Sequence, residues 1–302
     1  MGQISKKMAN WIQKIIGEKS NIVSVEQMKG STSSILYHIH VEGYRYKELV
    51  VRQHNNWEWL KEEPDLVLHE VGSLELASKV RIQSPEVLAY DPTGEECGSP
   101  AILMTKVVGD VKLKPKNMSK WLDSMAETLV KIHSIDAKDF SWKYFSYNQV
   151  NQIEVPSWSS ISKHYWEKAL EIAQSPRPVE QYTFIHRDYH PTNILWEDGE
   201  VCSVVDWVNA CYGPKGVDIG HCRINLAMLY NVEVADEFLE AYISHAGEDF
   251  QYNPYWDIVS VSDFLVGPPE VYPGWKAFGF TGLTNEMIKE RIDKYVMSLV
   301  NK

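Results

Sequence analysis

The chain has 302 residues, of which 44% are hydrophobic and 24% charged, a composition that excludes a disordered or fibrous protein. Its net charge of −11 argues against a nucleic-acid partner, because proteins that bind phosphate backbones usually carry a basic patch. No apolar run approaches the length of a membrane span, and the N-terminus is too polar for a secretory signal, which predicts a cytoplasmic protein without a membrane partner.

The N-terminal part of the chain predicts a helix followed by a small antiparallel sheet. The helix places Met8, Trp11 and Ile15 at helical spacing, which fits a membrane-surface helix but more commonly a helix packed on a core. Three strand-like runs follow, and EGYRY separates the last two of them: VSVEQMKG, SILYHIHV and ELVVRQH. A helix from Pro64 to Lys79 and an apolar strand, PAILMTKVVGD, are predicted next.

The C-terminal part predicts mainly helices. Apolar spacing indicates a helix from Ser119 to about His133, whereas residues 140–180 have no clear period and residues after Asp218 read as helical pieces. The four cysteines form no CxxC pair, and the grouping of Cys211 with His221 and Cys222 matches no zinc spacing. We therefore expect reduced thiols and no structural zinc.

The most informative stretch is FIHRDYHPTNILWEDGEVCSVVDW, from Phe184 to Trp207. Asp198 and Gly199 separate two β-prone runs, which predicts a two-residue hairpin. In that register Asn193 lies opposite Val204, and the alternation of side chains brings Asp206 to the same face as Asn193. One amide oxygen and one carboxylate are hard ligands that suit Mg²⁺, so the hairpin predicts a magnesium site of the kind that binds nucleotide phosphates.

Asp188 lies five residues before Asn193, in a loop that contains Pro191. This position would let its carboxylate face a substrate hydroxyl beside a metal-bound phosphate, which makes it the candidate base for phosphoryl transfer. The alternative is that these polar residues only cap the loop. His133 and His186 are interpreted as hydrogen-bonded structural histidines, because phosphoryl transfer needs neither of them.

HRDYHPTN followed by VVDW resembles the catalytic loop and metal-binding aspartate of the aminoglycoside phosphotransferase and choline kinase-like family. The resemblance implies an α+β, two-lobed, protein-kinase-like fold. Residues 1–107 would form a small antiparallel-sheet nucleotide-binding lobe, and residues 108–302 a larger, mainly helical lobe for catalysis and the acceptor. It also implies Asp188 as the base, with Asn193 and Asp206 as Mg²⁺ ligands, and ATP or GTP as the co-substrate.

The same resemblance extends to the N-terminal lobe. Arg52 occupies the place of a phosphate-contacting lysine in related kinases, with Glu70 as its ion-pair partner. The segment LMTKVVG resembles the hinge strand whose backbone contacts the purine, which nominates Thr105, Lys106 and Val107. A serine-rich loop replaces the glycine-rich one, and its phosphate-contacting candidates are Ser31, Thr32 and Ser33. Asp218 in GVDIGH resembles an aspartate that braces the catalytic region, although a helix N-cap explains it equally well.

The resulting function is a small-molecule kinase that moves the γ-phosphoryl group of a nucleoside triphosphate to a hydroxyl. Because the chain from Asp206 onwards is acidic and aromatic, we expect an amine-bearing acceptor. The candidate acceptor residues are Trp207, Tyr255, Trp256, Asp263 and Trp275. A protein kinase is the first alternative, although DFG and APE motifs are missing from the sequence. The second is an inactive kinase-like nucleotide-binding module.

Overall fold

Two separate hydrophobic patterns fold into two packed units in the computed structural model, which describes residues 4–28, 33–80, 82–147, 153–265 and 267–301. The first unit comprises residues 1–109 together with a return segment, 203–209, and the second comprises residues 110–202 and 210–302. The predicted limit after residue 107 therefore differs from the observed limit by two residues and does not include the return segment.

The first unit is built on a five-stranded antiparallel sheet. Its strands are β1 (Asn21–Gln27), β2 (Ile35–Glu42), β3 (Glu48–Gln53), β4 (Val87–Asp91) and β5 (Ala101–Thr105), in the spatial order β1-β2-β3-β5-β4. Gly43, with φ 80°, allows the turn between β2 and β3, since its Cβ-free backbone approaches the carbonyl oxygen of Lys19. The three strand-like runs and the later apolar strand are confirmed as β1, β2, β3 and β5, whereas β4 was not predicted.

Helix α1 (Lys6–Ile16) covers one face of this sheet. Ser5 caps it by accepting a hydrogen bond from the Met8 backbone at 3.1 Å. Its apolar face joins one core cluster with residues of the sheet: Met8, Trp11, Ile12, Ile16, Ile39, Val41, Leu49, Val51, Cys97, Ala101 and Leu103. The core-packed alternative for this helix is therefore confirmed. Two further helices, α2 (Trp57–Glu62) and α3 (Leu66–Ala77), follow β3, and α3 packs against the return segment.

The second unit is mainly helical. Its helices are α4 (Met118–His133), α5 (Lys163–Gln174), α6 (Lys215–Leu229), α7 (Val232–Ala246), α8 (Tyr255–Ser262), α9 (Pro273–Ala277) and α10 (Asn285–Val300). Helix α6 is almost completely buried because α7, α8 and α10 all pack against it. Its Arg223 forms a buried ion pair with Asp257 of α8 and a half-buried one with Asp236 of α7, so a charged network joins these helices. Within the described residues, no helix combines the length and apolar character needed to cross a membrane.

Two small sheets accompany these helices and carry the loops that matter for function. Strand β7 (Tyr182–Ile185) pairs antiparallel with β10 (Cys211–Pro214), and β8 (Ile194–Glu197) lies between β6 (Asp110–Val111) and β9 (Glu200–Val204). The loop from 186 to 193 thus begins at the end of one strand and ends at the start of another. Both of its ends are held by backbone hydrogen bonds.

Candidate functional site

The hairpin between β8 and β9 is present. Its turn consists of Asp198 and Gly199, whose φ angles are 50° and 84°. Positive φ at both central residues is the geometry that favours an Asp-Gly pair in a two-residue hairpin. The predicted turn is therefore confirmed. The convergence of Asn193 and Asp206 stays a prediction, since Asn193 belongs to the second unit and Asp206 to the first.

The Asp188 carboxylate is contacted at both of its oxygens. Asn193, at the end of a short 3-10 helix, donates from its side-chain nitrogen to Asp188 Oδ2 at 3.1 Å and to the Asp188 backbone oxygen at 2.9 Å. His221 Nε2 from α6 lies 3.0 Å from Asp188 Oδ1, and His190 Nε2 lies 3.5 Å from the same oxygen. The loop thus fixes the direction of the carboxylate while 30% of the side chain stays exposed.

The surroundings of Asp188 keep it ionised. Burial opposes the charged form, but the charge of His190 and the hydrogen bond from His221 lower the pKa of Asp188 far below its ordinary value. Burial also opposes a charged His221, yet its hydrogen bond to Asp188 and the charges of Asp188 and Asp263 raise the pKa of His221. An ionised carboxylate that is already oriented can accept a proton from a hydroxyl group.

Asp218 of α6 holds the start of this loop. Its Oδ2 accepts from the His186 backbone at 2.8 Å, its Oδ1 accepts from the Arg187 backbone at 2.5 Å, and His133 Nε2 lies 3.0 Å away. Asp218 is fully buried and lies within the first turn of α6, whose N-cap is Pro214. The N-cap alternative is therefore wrong, and Asp218 braces the loop.

Arg187 adds a second restraint on the same loop. Its φ of 67° is unusual for a residue with a side chain, and such conformations persist only where the surroundings enforce them. Besides the Asp218 contact, its guanidinium lies over the rings of Phe145 and Tyr147, 4.5 and 4.0 Å from their centroids. The strained backbone immediately before Asp188 is thus secured on both its main-chain and side-chain sides.

His133 has the structural role that the sequence suggested. It is buried, and its Nδ1 lies 2.7 Å from the hydroxyl of Tyr242 while its Nε2 faces Asp218. Burial lowers the pKa of His133, although the hydrogen bond and charge of Asp218 act in the opposite direction. His186 is also buried, and its Nδ1 lies 3.3 Å from the Asp188 backbone nitrogen. Both histidines thus contact groups that hold the 186–193 loop.

Removing the Asp218 carboxylate is expected to weaken the fold of the second unit. In Asp218→Ala two buried backbone N–H groups and His133 lose their acceptor, so the free energy of unfolding should fall by about 3–5 kcal/mol. Chemical denaturation followed by circular dichroism measures this change. Asp218→Asn, which keeps one acceptor oxygen, should lose less. An Asp218→Ala variant as stable as the parent would show that the brace contributes nothing.

In the first unit, Arg52 of β3 lies between two carboxylates. Its Nη1 is 3.4 Å from Glu70 Oε1 of α3, and its Nη2 is 2.7 Å from Asp206 Oδ1 of the return segment. His54 Nε2 lies 3.2 Å from Glu70 Oε2. Burial alone would raise the pKa of Glu70, but the charge of Arg52 and the hydrogen bond from His54 lower it. The ion pair expected between Arg52 and Glu70 is therefore present, and Asp206 is a second partner of Arg52.

The candidate hinge lies at the end of a strand that is paired on both sides. Strand β5 lies between β3 and β4, and is not an edge. Thr105 donates its backbone N–H to the carbonyl of Glu86 at 2.9 Å, and Lys106 donates to that of Glu48 at 3.1 Å. These two donors are thus already used, because β structure continues on both sides. Nucleotide contact at Thr105, Lys106 and Val107 stays a prediction for the remaining backbone groups.

Of the candidates in the serine-rich loop, Ser33 is half-buried, and Ser31 and Thr32 lie outside the described residues.

The structure corrects the prediction that four aromatic residues bind the acceptor. Trp207, Trp256 and Trp275 are each at most 2% exposed and Tyr255 is 8% exposed, because they pack inside the hydrophobic cores of their units. Buried rings cannot present a face to an acceptor, so these four residues are structural. Asp263, at the end of α8, is exposed. It remains a candidate on the strength of its charge near His221.

His190 and His221 are the residues that sequence reasoning missed. His190 lay inside the quoted HRDYHPTN motif but was not assigned a role. His221 follows Asp218 by three residues, a spacing that places both side chains on one side of a helix. Because the resemblance places Asp218 beside the catalytic loop, this spacing indicates that His221 faces the loop as well. Only the packing of α6 against the loop decided it.

A small antiparallel-sheet unit with a buried Arg-Glu ion pair, and a helical unit with an ionised loop aspartate beside an asparagine, are the parts of a protein-kinase-like phosphotransferase. The chain belongs to the phosphotransferase enzyme family, whose family model matches residues 25–255. No curated protein sequence matches the chain significantly. The recognised resemblance and the predicted α+β, kinase-like fold class are confirmed.

Solved structures support the same fold. A protein from Ralstonia eutropha assigned as an aminoglycoside phosphotransferase matches with a TM-score of 0.66 and 14% identity, over 98% of this chain and 97% of that one. Aminoglycoside phosphotransferase APH(4)-Ia matches with a TM-score of 0.62 and 15% identity, over 97% and 98%. Macrolide 2′-phosphotransferase MphH from Brachybacterium faecium gives 0.59 and 14%, over 94% and 96%. At these identities the likeness establishes the fold.

Proposed function

We propose that the protein is a small-molecule kinase that transfers the γ-phosphoryl group of a nucleoside triphosphate to a hydroxyl of its acceptor. The observation that carries this proposal is the Asp188 carboxylate, contacted at both oxygens within a loop that Asp218 braces. Phosphoryl transfer asks a protein mainly to position reactants and stabilise charge, so an oriented carboxylate is the group that an attacking hydroxyl needs. Asp188 is therefore assigned as the base.

The proposed metal is Mg²⁺, with Asn193 and Asp206 as its protein ligands. The side-chain nitrogen of Asn193 is engaged by Asp188, which leaves the amide oxygen as the atom that can bind a cation. Asp206 offers a carboxylate that is 31% exposed. Both are hard oxygen donors, so the donor set fits Mg²⁺. When bound, Mg²⁺ would neutralise charge on the nucleotide phosphates.

Arg52 is proposed to contact the nucleotide phosphates, with Glu70 fixing its guanidinium. Both side chains are almost fully buried, and a buried cation held by a carboxylate from a packed helix has a defined direction. ATP is the proposed co-substrate, and support comes from APH(4)-Ia variants of the same fold that were solved with ADP or AMP-PNP. GTP remains an alternative that the transfer assay decides.

The proposed acceptor is a small hydroxyl compound that carries amino groups. Those same two APH(4)-Ia structures contain hygromycin B, which supports an acceptor of the aminoglycoside type. In this chain the exposed Asp263 and the ionised Asp188 supply negative charge in the second unit. An ammonium group would be attracted to both carboxylates, with an effect that added salt should weaken.

The test is transfer by the purified protein from ATP or GTP, in Mg²⁺, to a panel of amine-bearing, neutral and anionic hydroxyl compounds. Release of nucleoside diphosphate is compared with a reaction without acceptor, which corrects for hydrolysis. We expect release that depends on an amine-bearing acceptor. A protein substrate is assayed beside the panel, and transfer to it alone would reject the small-molecule proposal. Transfer only to neutral or anionic compounds would reject the acceptor class alone.

Arg52 gives a specific prediction for nucleotide use. Arg52→Ala should raise KM for the nucleotide by about 10- to 100-fold, since hydrogen bonds to a charged group contribute roughly 1.5–3 kcal/mol. The KM of Arg52→Lys should lie between those of the parent and Arg52→Ala, because lysine keeps the charge but lacks the guanidinium fork. Steady-state kinetics with varied nucleotide measures the effect. A normal KM in a folded Arg52→Ala variant would limit Arg52 to the ion pairs that it makes within the first unit.

A further inference from the structure

Asp188, His190 and His221 bring together three groups that can each offer one atom to a metal ion. Asp188 and His190 belong to the 186–193 loop and His221 to α6, and all three lie in the second unit. Their ligand atoms all lie within 4.8 Å of one another. Among the residues that the structure describes, they are the group of histidine, cysteine and carboxylate side chains that meets this geometry.

The spacing of these atoms suits a small tetrahedral ion. Asp188 Oδ1 is 3.0 Å from His221 Nε2 and 3.5 Å from His190 Nε2. Two ligands placed tetrahedrally around zinc, each about 2.0–2.1 Å from it, lie about 3.3 Å apart. The observed distances fall on both sides of that value. The ligand atoms of His190 and His221 lie within 4.8 Å of each other, so a side-chain shift of at most about 1.5 Å brings all three pairs to the zinc spacing.

Neighbouring groups already orient two of the three side chains. The other oxygen of Asp188 accepts from Asn193 Nδ2 at 3.1 Å. The hydroxyl of Thr192 lies 3.1 Å from Nδ1 of His190 and 3.4 Å from its Nε2, so it is closer to the nitrogen that the ion would not use. A partner on the second ring nitrogen fixes the orientation of a metal-binding histidine, and such partners usually raise metal affinity. The loop thus holds its carboxylate and its imidazole in a preset direction.

His221 is held from its own helix and from the segment that follows α8. Its ring stacks on Phe264, with centroids 6.4 Å apart and an interplanar angle of 26°. Asn225, one turn later on α6, places its Nδ2 3.2 Å from His221 Nε2. Nε2 of His221, the atom that a metal ion would use, is therefore contacted by both Asp188 and Asn225. An ion would have to replace the Asn225 contact, and the stacked ring would stay in place.

The cluster can be reached from solvent and is electrostatically suited to a cation. The Asp188 and His221 side chains are 30% and 18% exposed, whereas His190 is only 7% exposed. Negative charge comes from Asp188 itself and from Asp263, which acts on His221. A half-open arrangement with one carboxylate and two imidazoles leaves a fourth coordination position for water.

We propose that Asp188, His190 and His221 bind a transition-metal ion, Zn²⁺ in particular, and that the bound ion inhibits phosphoryl transfer. Two imidazoles favour Zn²⁺ over Mg²⁺, which prefers oxygen ligands and dehydrates reluctantly. The inhibition follows because Asp188 Oδ1 would coordinate the ion and could no longer accept a proton from the acceptor. This second part rests on the proposed role of Asp188 as the base, whereas the binding itself does not.

The binding experiment is a calorimetric titration of the untagged full chain with Zn²⁺, without nucleotide and with excess Mg²⁺ to occupy sites made of oxygen ligands. A parallel titration with Co²⁺ reports the coordination geometry through its visible absorption. We expect one ion per chain. His190→Gln and His221→Gln should each weaken binding by at least about tenfold, since each removes one of three ligands.

Two control variants make the assignment specific. Asp206→Asn removes a proposed Mg²⁺ ligand and should bind Zn²⁺ as the parent does. His245→Gln removes an exposed histidine whose Nε2 lies 2.8 Å from Asp123 Oδ1, a pair that belongs to no three-ligand group among the described residues, and should also leave binding unchanged. Binding that survives in both His190→Gln and His221→Gln, or no binding by the parent, overturns the proposed site.

The inhibition is tested in the transfer assay with Zn²⁺ added at fixed Mg²⁺ and nucleotide. We expect loss of turnover that a chelator restores, with His245→Gln inhibited like the parent. His221→Gln should need at least about tenfold more Zn²⁺ for the same fractional inhibition. Zinc that binds without slowing turnover overturns the inhibitory role. If no acceptor is phosphorylated at all, the proposed function fails while the binding titration still decides the metal site.

Discussion

Replacing Asp188 with asparagine is expected to lower kcat by about 10²- to 10⁴-fold, the range in which a positioned general base contributes. Asparagine has the size of aspartate and can still accept from Asn193, so the loop should keep its shape. What it loses is the negative oxygen that faces His221 and, by our proposal, the acceptor hydroxyl. Turnover should therefore fall while the affinity for Mg²⁺ and nucleotide changes little.

Single-turnover kinetics and nucleotide binding by calorimetry separate these two effects. Asp139→Asn is the matched control, since it makes the same chemical change at an exposed aspartate of the second unit and should leave both values unaltered. The thermal midpoint of Asp188→Asn should stay close to that of the parent. Near-normal turnover in Asp188→Asn would mean that another group accepts the proton, and the base assignment would be wrong.

Replacing Asp206 with asparagine should have the opposite signature. It removes a negative oxygen ligand of the proposed Mg²⁺ site, so the Mg²⁺-dependent affinity for nucleotide should fall by at least about 10- to 100-fold, together with turnover. It also takes one of the two carboxylates from Arg52, whose contact with Asp206 is 2.7 Å. Glu70 remains as a partner for Arg52, which should limit the loss of stability.

The measurement for Asp206 is nucleotide affinity as a function of Mg²⁺ concentration, compared with the same titration in the absence of Mg²⁺. Only the Mg²⁺-dependent part should change in Asp206→Asn, whereas Asp188→Asn should change neither part. The two variants make the same chemical substitution, so their difference isolates the roles of the two residues. An Asp206→Asn protein with the Mg²⁺ dependence of the parent would exclude Asp206 as a ligand.

The sequence predicted best the features that depend on residues close together in the chain. The hairpin turn at Asp198 and Gly199 was predictable because two consecutive positive φ angles are tolerated by few residue pairs. The limits of α4 differ by one residue from the prediction, since its apolar residues keep helical spacing over four turns. Helix α5 was missed because only Trp166, Ala169 and Ala173 are buried, too few to give a clear period.

The four aromatic acceptor candidates were predicted wrongly because composition does not say which way a side chain points. Aromatic residues are suited both to a binding wall and to a hydrophobic core. Trp207, Trp256 and Trp275 belong to the hydrophobic core, and each ring is buried. Asp263 differs because a charged carboxylate is costly to remove from water, and it lies at the surface.

By itself the sequence determined the family, the kinase-like fold class and the loop that carries Asp188 and Asn193, because those features are written in short motifs and local periodicity. The tertiary structure alone decided the long-range partners: Arg52 with Asp206, Asp218 with the loop backbone, and His221 with Asp188. Each of these contacts joins residues on different elements. Such contacts form because charges and N–H groups that become buried as the elements pack need partners. The order of residues along the chain does not specify which partner each group meets.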